Sequence, residues 1–320
     1  MKKYLLLTIF VCATLSVTFG QINFPVKNKA VSQNQTRARL KLAYFRAQQG
    51  DLPSIRVVDL STGTFFLVYY DAISKQLAEE SIPLLVAFYK DIAAITAVDP
   101  GKVSWASVVF TTEKKYMPPQ NGNEERWAVT VAETGRLSTQ GIKDLYQTIP
   151  HEQTHRVEKT FVPTSSRWFT EGLATWVGLK ITERWNPELA RLTLAEFEGE
   201  RTKLNAPLNL TRWGGLIVKK EAILRQVTPE VRERMEEDPT FSPPGPFNFV
   251  KDDFINDESN TLARYGASRE LFDELDKRAG RKRLQNWLRS IWENGAAINT
   301  KDATAQISKQ LNIDITERLK

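Results

Sequence analysis

The chain contains two histidines, and they stand four residues apart in His151-Glu152-Gln153-Thr154-His155. No other stretch restricts the possible folds as much. A helix turns about 100° per residue, so positions i and i+4 project within about 40° of each other, one above the other. Placed on a helix, the two imidazoles offer two nitrogens to a single point, as two ligands of a tetrahedral ion would. Glu152 projects about 60° from His155, so its carboxylate can reach a water held at that point. Gln153 and Thr154 face elsewhere. A merely solvated polar face would leave unexplained why all the imidazole of a 320-residue chain is gathered at one spot.

A catalytic zinc takes three protein ligands and keeps its fourth position open. There is no third histidine, and the one cysteine, Cys12, lies in an amino-terminal segment expected to be removed. The third ligand is therefore expected to be a carboxylate. Glu171 follows His155 by sixteen residues, within Trp168-Phe169-Thr170-Glu171-Gly172-Leu173-Ala174-Thr175-Trp176. Phe169, Leu173, Trp176 and Val177 recur at helical spacing, which predicts a second amphipathic helix packed on the first. Gly172, beside the carboxylate, would let two backbones approach closely. Glu158 is nearer in sequence but would have to reach back along its own helix, so Glu171 is the expected ligand, with one Zn2+ per chain.

These two segments resemble the gluzincins, especially the peptidase MA-like proteins, whose second helix reads W-x-x-E-G-L-A. The likeness runs from about Thr64 to Leu319 and is concentrated in the two metal helices. It implies that His151, His155 and Glu171 are zinc ligands, that Glu152 is the general base, and that the activity is hydrolysis of peptide bonds in a peptide or protein substrate. Three positions depart from the family pattern. Pro150 directly precedes the first histidine, where a helix former is usual. Thr175 stands where thermolysin-like gluzincins carry an aspartate that orients a ligand histidine. The G-x-M-E-N motif with which metallo-aminopeptidases grip a substrate amino terminus is missing, which argues against that specificity. Gluzincins also supply a tyrosine or histidine to the oxyanion. Tyr265 is the one tyrosine after Glu171, and its setting, Arg264-Tyr265-Gly266-Ala267-Ser268, resembles the family's tyrosine segment. Arg264 and Arg269 are the next donors in line. The alternative reading is a non-catalytic exported binding protein on a gluzincin scaffold.

Met1-Lys2-Lys3 followed by an apolar run to Phe19 has the layout of a secretory signal peptide. Thr18-Phe19-Gly20 places small residues for cleavage near Gly20, so the protein is expected to be exported, periplasmic or extracellular. An uncleaved anchor is the other possibility. The chain beyond it has no cysteine, so no disulfide is available to it. No later apolar run approaches spanning length. The formal charge of +6 falls to +4 without Lys2 and Lys3. Basic and acidic residues are interleaved, which excludes a nucleic-acid stripe; the basic cluster from Arg278 to Arg283 reads as a solvated helix junction. Oligomeric state has no signature here.

The expected class is α+β and zincin-like. Residues 1–20 form the signal peptide. Residues 21–160 form a small mixed-sheet lobe that carries the HExxH helix, and 161–320 form a mostly helical lobe that supplies the third ligand. Ile55 to Leu60 and Thr64 to Tyr70 read as strands around a Ser61-Thr62-Gly63 turn. A helix follows over Ile73 to Val98, kinked or interrupted at Pro83 and stopped by Asp99-Pro100-Gly101. Val103 to Phe110 and Trp127 to Ala132 are strands. The latter suits a sheet edge, where Val129 to Val131 could pair with an extended substrate. Pro118 to Gly122 reads as a loop. The metal helix is expected to begin near Ser138-Thr139 or, if Pro150 opens it, near Thr148. Pro243-Pro244-Gly245-Pro246 reads as a loop at the cleft rim. Leu262 to Arg278 and Arg281 to Trp292 read as helices parted at Gly280.

Overall fold

The computed structural model describes residues 39–47, 51–113, 124–205, 208–238, 241 and 243–320. The expected signal segment, Cys12 and the Pro118 to Gly122 loop lie outside them. Five strands make one mixed sheet in the order β1 (Leu40–Phe45), β2 (Ser54–Asp59), β3 (Thr64–Tyr70), β4 (Ser107–Thr111) and β5 (Arg126–Thr130). The first three are antiparallel, and the hairpin at Ser61-Thr62-Gly63 pairs Asp59 with Thr64. β3, β4 and β5 run parallel. A parallel return needs a crossover, and α1 (Lys75–Thr96) provides it between β3 and β4. Ile55, Val57, Phe66, Val68, Val108 and Phe110 are buried with Ile82, Leu85, Phe88, Tyr89 and Ile92 of α1. Alternation in the strands and helical spacing in α1 thus meet in one core.

Pro83 does not interrupt α1. Its missing N–H leaves the carbonyl of Glu79 without its helical donor, and the helix continues past it. The strand expected from Val103 begins four residues later, because Pro100–Lys102 close a short 3-10 turn that Asp99 caps. β1 has no counterpart in the sequence reading. Its exposed Leu42, Tyr44 and Phe45 blur the alternation that would have revealed it.

Beyond β5 the chain is mostly helical: α2 (Thr139–Lys143), α3 (Ile149–Phe161), α4 (Arg167–Trp185), α5 (Pro187–Thr202), α6 (Lys220–Leu224), α7 (Pro229–Glu237), α8 (Thr261–Ala279), α9 (Arg281–Asn294) and α10 (Thr300–Gln306). A two-stranded ribbon, β6 (Leu216–Val218) with β7 (Phe254–Asn256), lies among them. The class is therefore α+β, with a five-stranded sheet ahead of the HExxH helix and a largely helical remainder. Phe169, Leu173 and Trp176 of α4, Phe272 and Leu275 of α8, and Trp287 and Leu288 of α9 are buried together. The Pro243 to Pro246 segment has no regular structure, and Asn248 just beyond it is tied to Gln226. Among the described residues no helix is long and apolar enough to cross a membrane.

Candidate metal centre

Helical structure runs without a gap from Thr139 to Phe161, so both predicted starts of the metal helix have a counterpart. Ser138 caps α2 by accepting from Gly141 N–H, and a π turn over Asp144–Thr148 leads into α3 with Pro150 in its first turn. Proline cannot donate to the carbonyl four residues back, and its ring crowds that carbonyl. The chain widens there: Ile149 N–H reaches five residues back to Asp144 O. The freed carbonyl of Tyr146 lies 2.7 Å from Thr182 Oγ1 of α4, whose single proton it shares with Gly178 O at 2.8 Å. Pro150 is thus accommodated without a break, and its own carbonyl accepts from Thr154 Oγ1 at 2.8 Å. π turns of this kind recur at functional sites.

α4 packs chiefly on α3 and α8. Gly178 makes the first contact close: a Cβ there would stand 3.1, 3.2 and 3.3 Å from N, Cα and Cβ of His151. The sequence reading gave that role to Gly172. Gly172 instead faces α8, where a Cβ would meet Ser268 Cβ at 2.9 Å. Both glycines draw α4 between its neighbours, and the one that approaches the metal helix is Gly178.

Within this frame three predicted side chains converge. His151 Nε2 lies 3.1 Å from His155 Nε2, and Glu171 Oε2 lies 3.4 Å from the former and 3.3 Å from the latter. Ligand atoms about 2.05 Å from a tetrahedral zinc are about 3.3–3.4 Å apart; the two edges to Glu171 have that length and the edge between the imidazoles, at 3.1 Å, is slightly shorter. Glu171 Oε2 is buried and has no hydrogen-bond partner among the described residues; the two imidazole nitrogens, 3.3 and 3.4 Å away, stand just beside it. The donor set, two imidazoles and one carboxylate, also suits zinc. His151, His155 and Glu171 form the one group of metal-ligating type among the described residues.

The charges follow from this packing. Burial opposes ionisation of Glu171, but the two imidazoles outweigh it and hold its pKa below the ordinary carboxylate range. Glu152 is buried, and desolvation raises its pKa despite the neighbouring histidines. Glu158 does not join the triangle. It accepts from or donates to His155 at Nδ1, 2.9 Å away, on the other edge of the ring, and burial moves its pKa up to about 7.

Tyr265 lies on α8 with its ring edge-on to His151, centroids 5.8 Å apart. Burial, reinforced by the Glu171 carboxylate, raises its phenol pKa, so the hydroxyl stays a donor. Trp213 backs it at 5.2 Å, and Arg167 lies over the Trp213 ring and 3.7 Å from Glu171 Oε1. The other two donors in line are engaged elsewhere: Arg264 with Asp257, and Arg269 with Asp273. Thr175 is buried, and its hydroxyl has no partner among the described residues. Gly178, Thr182 and Trp213 were missed in the sequence reading. The first two sit seven and eleven residues past Glu171, a regular helical spacing that could have flagged them. Trp213 carries no such signal.

β5 is an edge strand, as predicted, but its far end is closed. Thr130 N–H donates to Asp144, Thr130 O accepts from Ser138, and Val131 bridges Leu137. The expected docking stretch, Val129 to Val131, is therefore covered by the chain's own return. Because alternate residues of a strand face alternate neighbours, Ala128 shares the outward direction of Thr130.

No family model matches the chain, and no curated protein does. Among solved structures, an M1 zinc metallopeptidase from Deinococcus radiodurans is similar over 88% of this chain and 50% of its own, with 13% identity and a TM-score of 0.44. A mutant M1 zinc metallopeptidase from the same organism, bound to a Tyr-Ser-Ala substrate, gives 12% identity and 0.43 over the same shares, 88% and 50%. A two-domain M1 zinc metallopeptidase mutant bound to L-arginine gives 11% and 0.43, again over 88% of this chain and 50% of that one. The chain spans about half the length of the solved chains it resembles.

Proposed function

We propose that the protein is a zinc-dependent metallopeptidase in which His151, His155 and Glu171 hold the ion. The observation that carries this reading is the Nε2–Nε2–Oε2 triangle, with edges of 3.1, 3.3 and 3.4 Å. Bound zinc would act as a Lewis acid and bring a water in its open position to a pKa of roughly 7. Glu152 accepts that water's proton as it attacks the scissile carbonyl and returns a proton to the leaving amine. Burial raises its pKa above the ordinary carboxylate value, in the direction that favours accepting a proton. Tyr265 donates its hydroxyl to the developing oxyanion. Ala128 lies on the outward side of the β5 edge, where no described residue pairs with its backbone and an extended substrate backbone can pair. The basic and apolar amino terminus supports export.

The test is release of peptides from unfolded casein by the purified protein, with and without a chelator. Chelator-sensitive release that Glu152→Gln abolishes while retaining zinc is the expected outcome. Release of no peptide by wild type across a broad substrate panel would replace the peptidase with a binding protein on the same scaffold.

A further inference from the structure

The triangle accounts for Nε2 of each histidine and leaves open what fixes the rings. An imidazole ligates through one nitrogen only if the other carries the proton, and a hydrogen-bond partner at that other nitrogen selects the tautomer and the ring angle. His155 has such a partner. Glu158 lies three residues on along α3, so the two side chains stack on one face, and its carboxylate is 2.9 Å from Nδ1. Glu158 is 3% exposed; its Oε2 is the oxygen at His155 Nδ1, and its Oε1 has no partner among the described residues, so the imidazole is the carboxylate's hold. It stands at Nδ1 while Glu171 stands at Nε2, so the ring separates it from the triangle. The usual alternative supplier is closed: Thr175, one turn after Glu171, offers only a hydroxyl that has no partner among the described residues. Among the described residues the acids paired with either imidazole are Glu158 and Glu171.

We infer that Glu158 is a positioning residue: it holds His155 as the Nδ1–H tautomer, so that the Nε2 lone pair faces the metal, and the orienting carboxylate of this centre comes from the metal helix itself. The inference rests on the zinc reading above. It also excludes Glu158 as a ligand, the role its sequence position had left open.

Competition against a chromophoric chelator, using the full chain and zinc alone, tests it. Removal of an outer-shell partner costs about 10–100-fold in metal affinity. Glu158→Ala should show that loss while still binding one zinc. Glu158→Gln should lose less, because its amide oxygen still accepts from Nδ1–H. The cobalt-substituted forms should keep the intensity of a four-coordinate visible spectrum, with its bands shifted. Affinities equal to wild type in both variants would reduce Glu158 to a structural acid. Loss of zinc stoichiometry in Glu158→Ala, as for Glu171→Ala, together with an altered cobalt coordination number, would make it a ligand. Either result overturns the inference and leaves the zinc reading intact, whereas a wild-type chain without zinc would overturn both. Should Glu158→Ala fail to fold, the nearly isosteric Glu158→Gln decides.

Discussion

The two turns of the metal helix hold their histidines by different means. His151 sits where the backbone is most constrained: Pro150 before it, a π turn before that, Thr182 taking the spare carbonyl, and Gly178 pressed against its Cα. Its ring leans on Tyr265, and no acid other than Glu171 is paired with it among the described residues. His155 lies in regular helix and is held at its ring by Glu158. One histidine is placed by packing of its backbone and the other by a hydrogen bond to its side chain. Packing tolerates no added volume, and a hydrogen bond tolerates no lost acceptor, so the two turns should fail under different substitutions.

The largest effect should separate support from chemistry on the His151 side. Tyr265 touches that ring, so it could be a brace or a donor to the reaction. As a donor, its loss in Tyr265→Phe should lower kcat by about 10²–10³ with zinc content and melting unchanged. The phenyl ring preserves the contact, so a variant that cleaves peptides at the wild-type rate would leave Tyr265 only the bracing role.

Gly178→Val tests the packing half directly. The new side chain meets backbone atoms of His151, which cannot swing aside as a side chain could. Overpacking of this kind costs about 1–3 kcal/mol, and the upper end is expected in a denaturant melt of the apo chain. Zinc affinity should fall with it, because α3 must shift. Unchanged affinity would mean that His151 is not placed by α4.

A smaller effect is expected from Thr182→Val, which keeps the shape and removes the donor to Tyr146 O. A buried carbonyl left without a partner costs about 1–3 kcal/mol, and the lower end is expected because Tyr146 is only half-buried and the flanking π turn can adjust. A stability equal to wild type would show that Pro150 is accommodated without help from α4.

The same contrast explains what could be read from the sequence. The convergence of His151, His155 and Glu171 was legible because the metal reading asks for particular residue types, and a helix fixes their spacing. Their convergence needed only two helices, each marked by its own apolar periodicity. The strands at 54–59 and 64–70 were legible from alternation and the intervening glycine turn. Features that depend on contact between distant segments were not. Gly172 and Gly178 are equally plausible close-approach residues in sequence, and only the packing of α4 between α3 and α8 assigns each its neighbour. Pro150 could open the helix or kink a longer one in the sequence, and the contact that accommodates it lies thirty-two residues later, at Thr182. The β5 edge was read correctly as an edge, yet its closure comes from a return at 132–138 whose residues carry no strand pattern. Glu158 was set aside as a ligand for want of reach, and its place at Nδ1 was not legible because spacing along one helix does not reveal which ring nitrogen a side chain faces.

The central claim is that one imidazole from each turn and the α4 carboxylate share a single ion. The most direct measurement is zinc per chain, by elemental analysis after dialysis, for wild type, Glu152→Gln, His155→Ala and Glu171→Ala. About one zinc in the first two and none in the last two is the predicted result. Full retention of zinc by His155→Ala or by Glu171→Ala would contradict it.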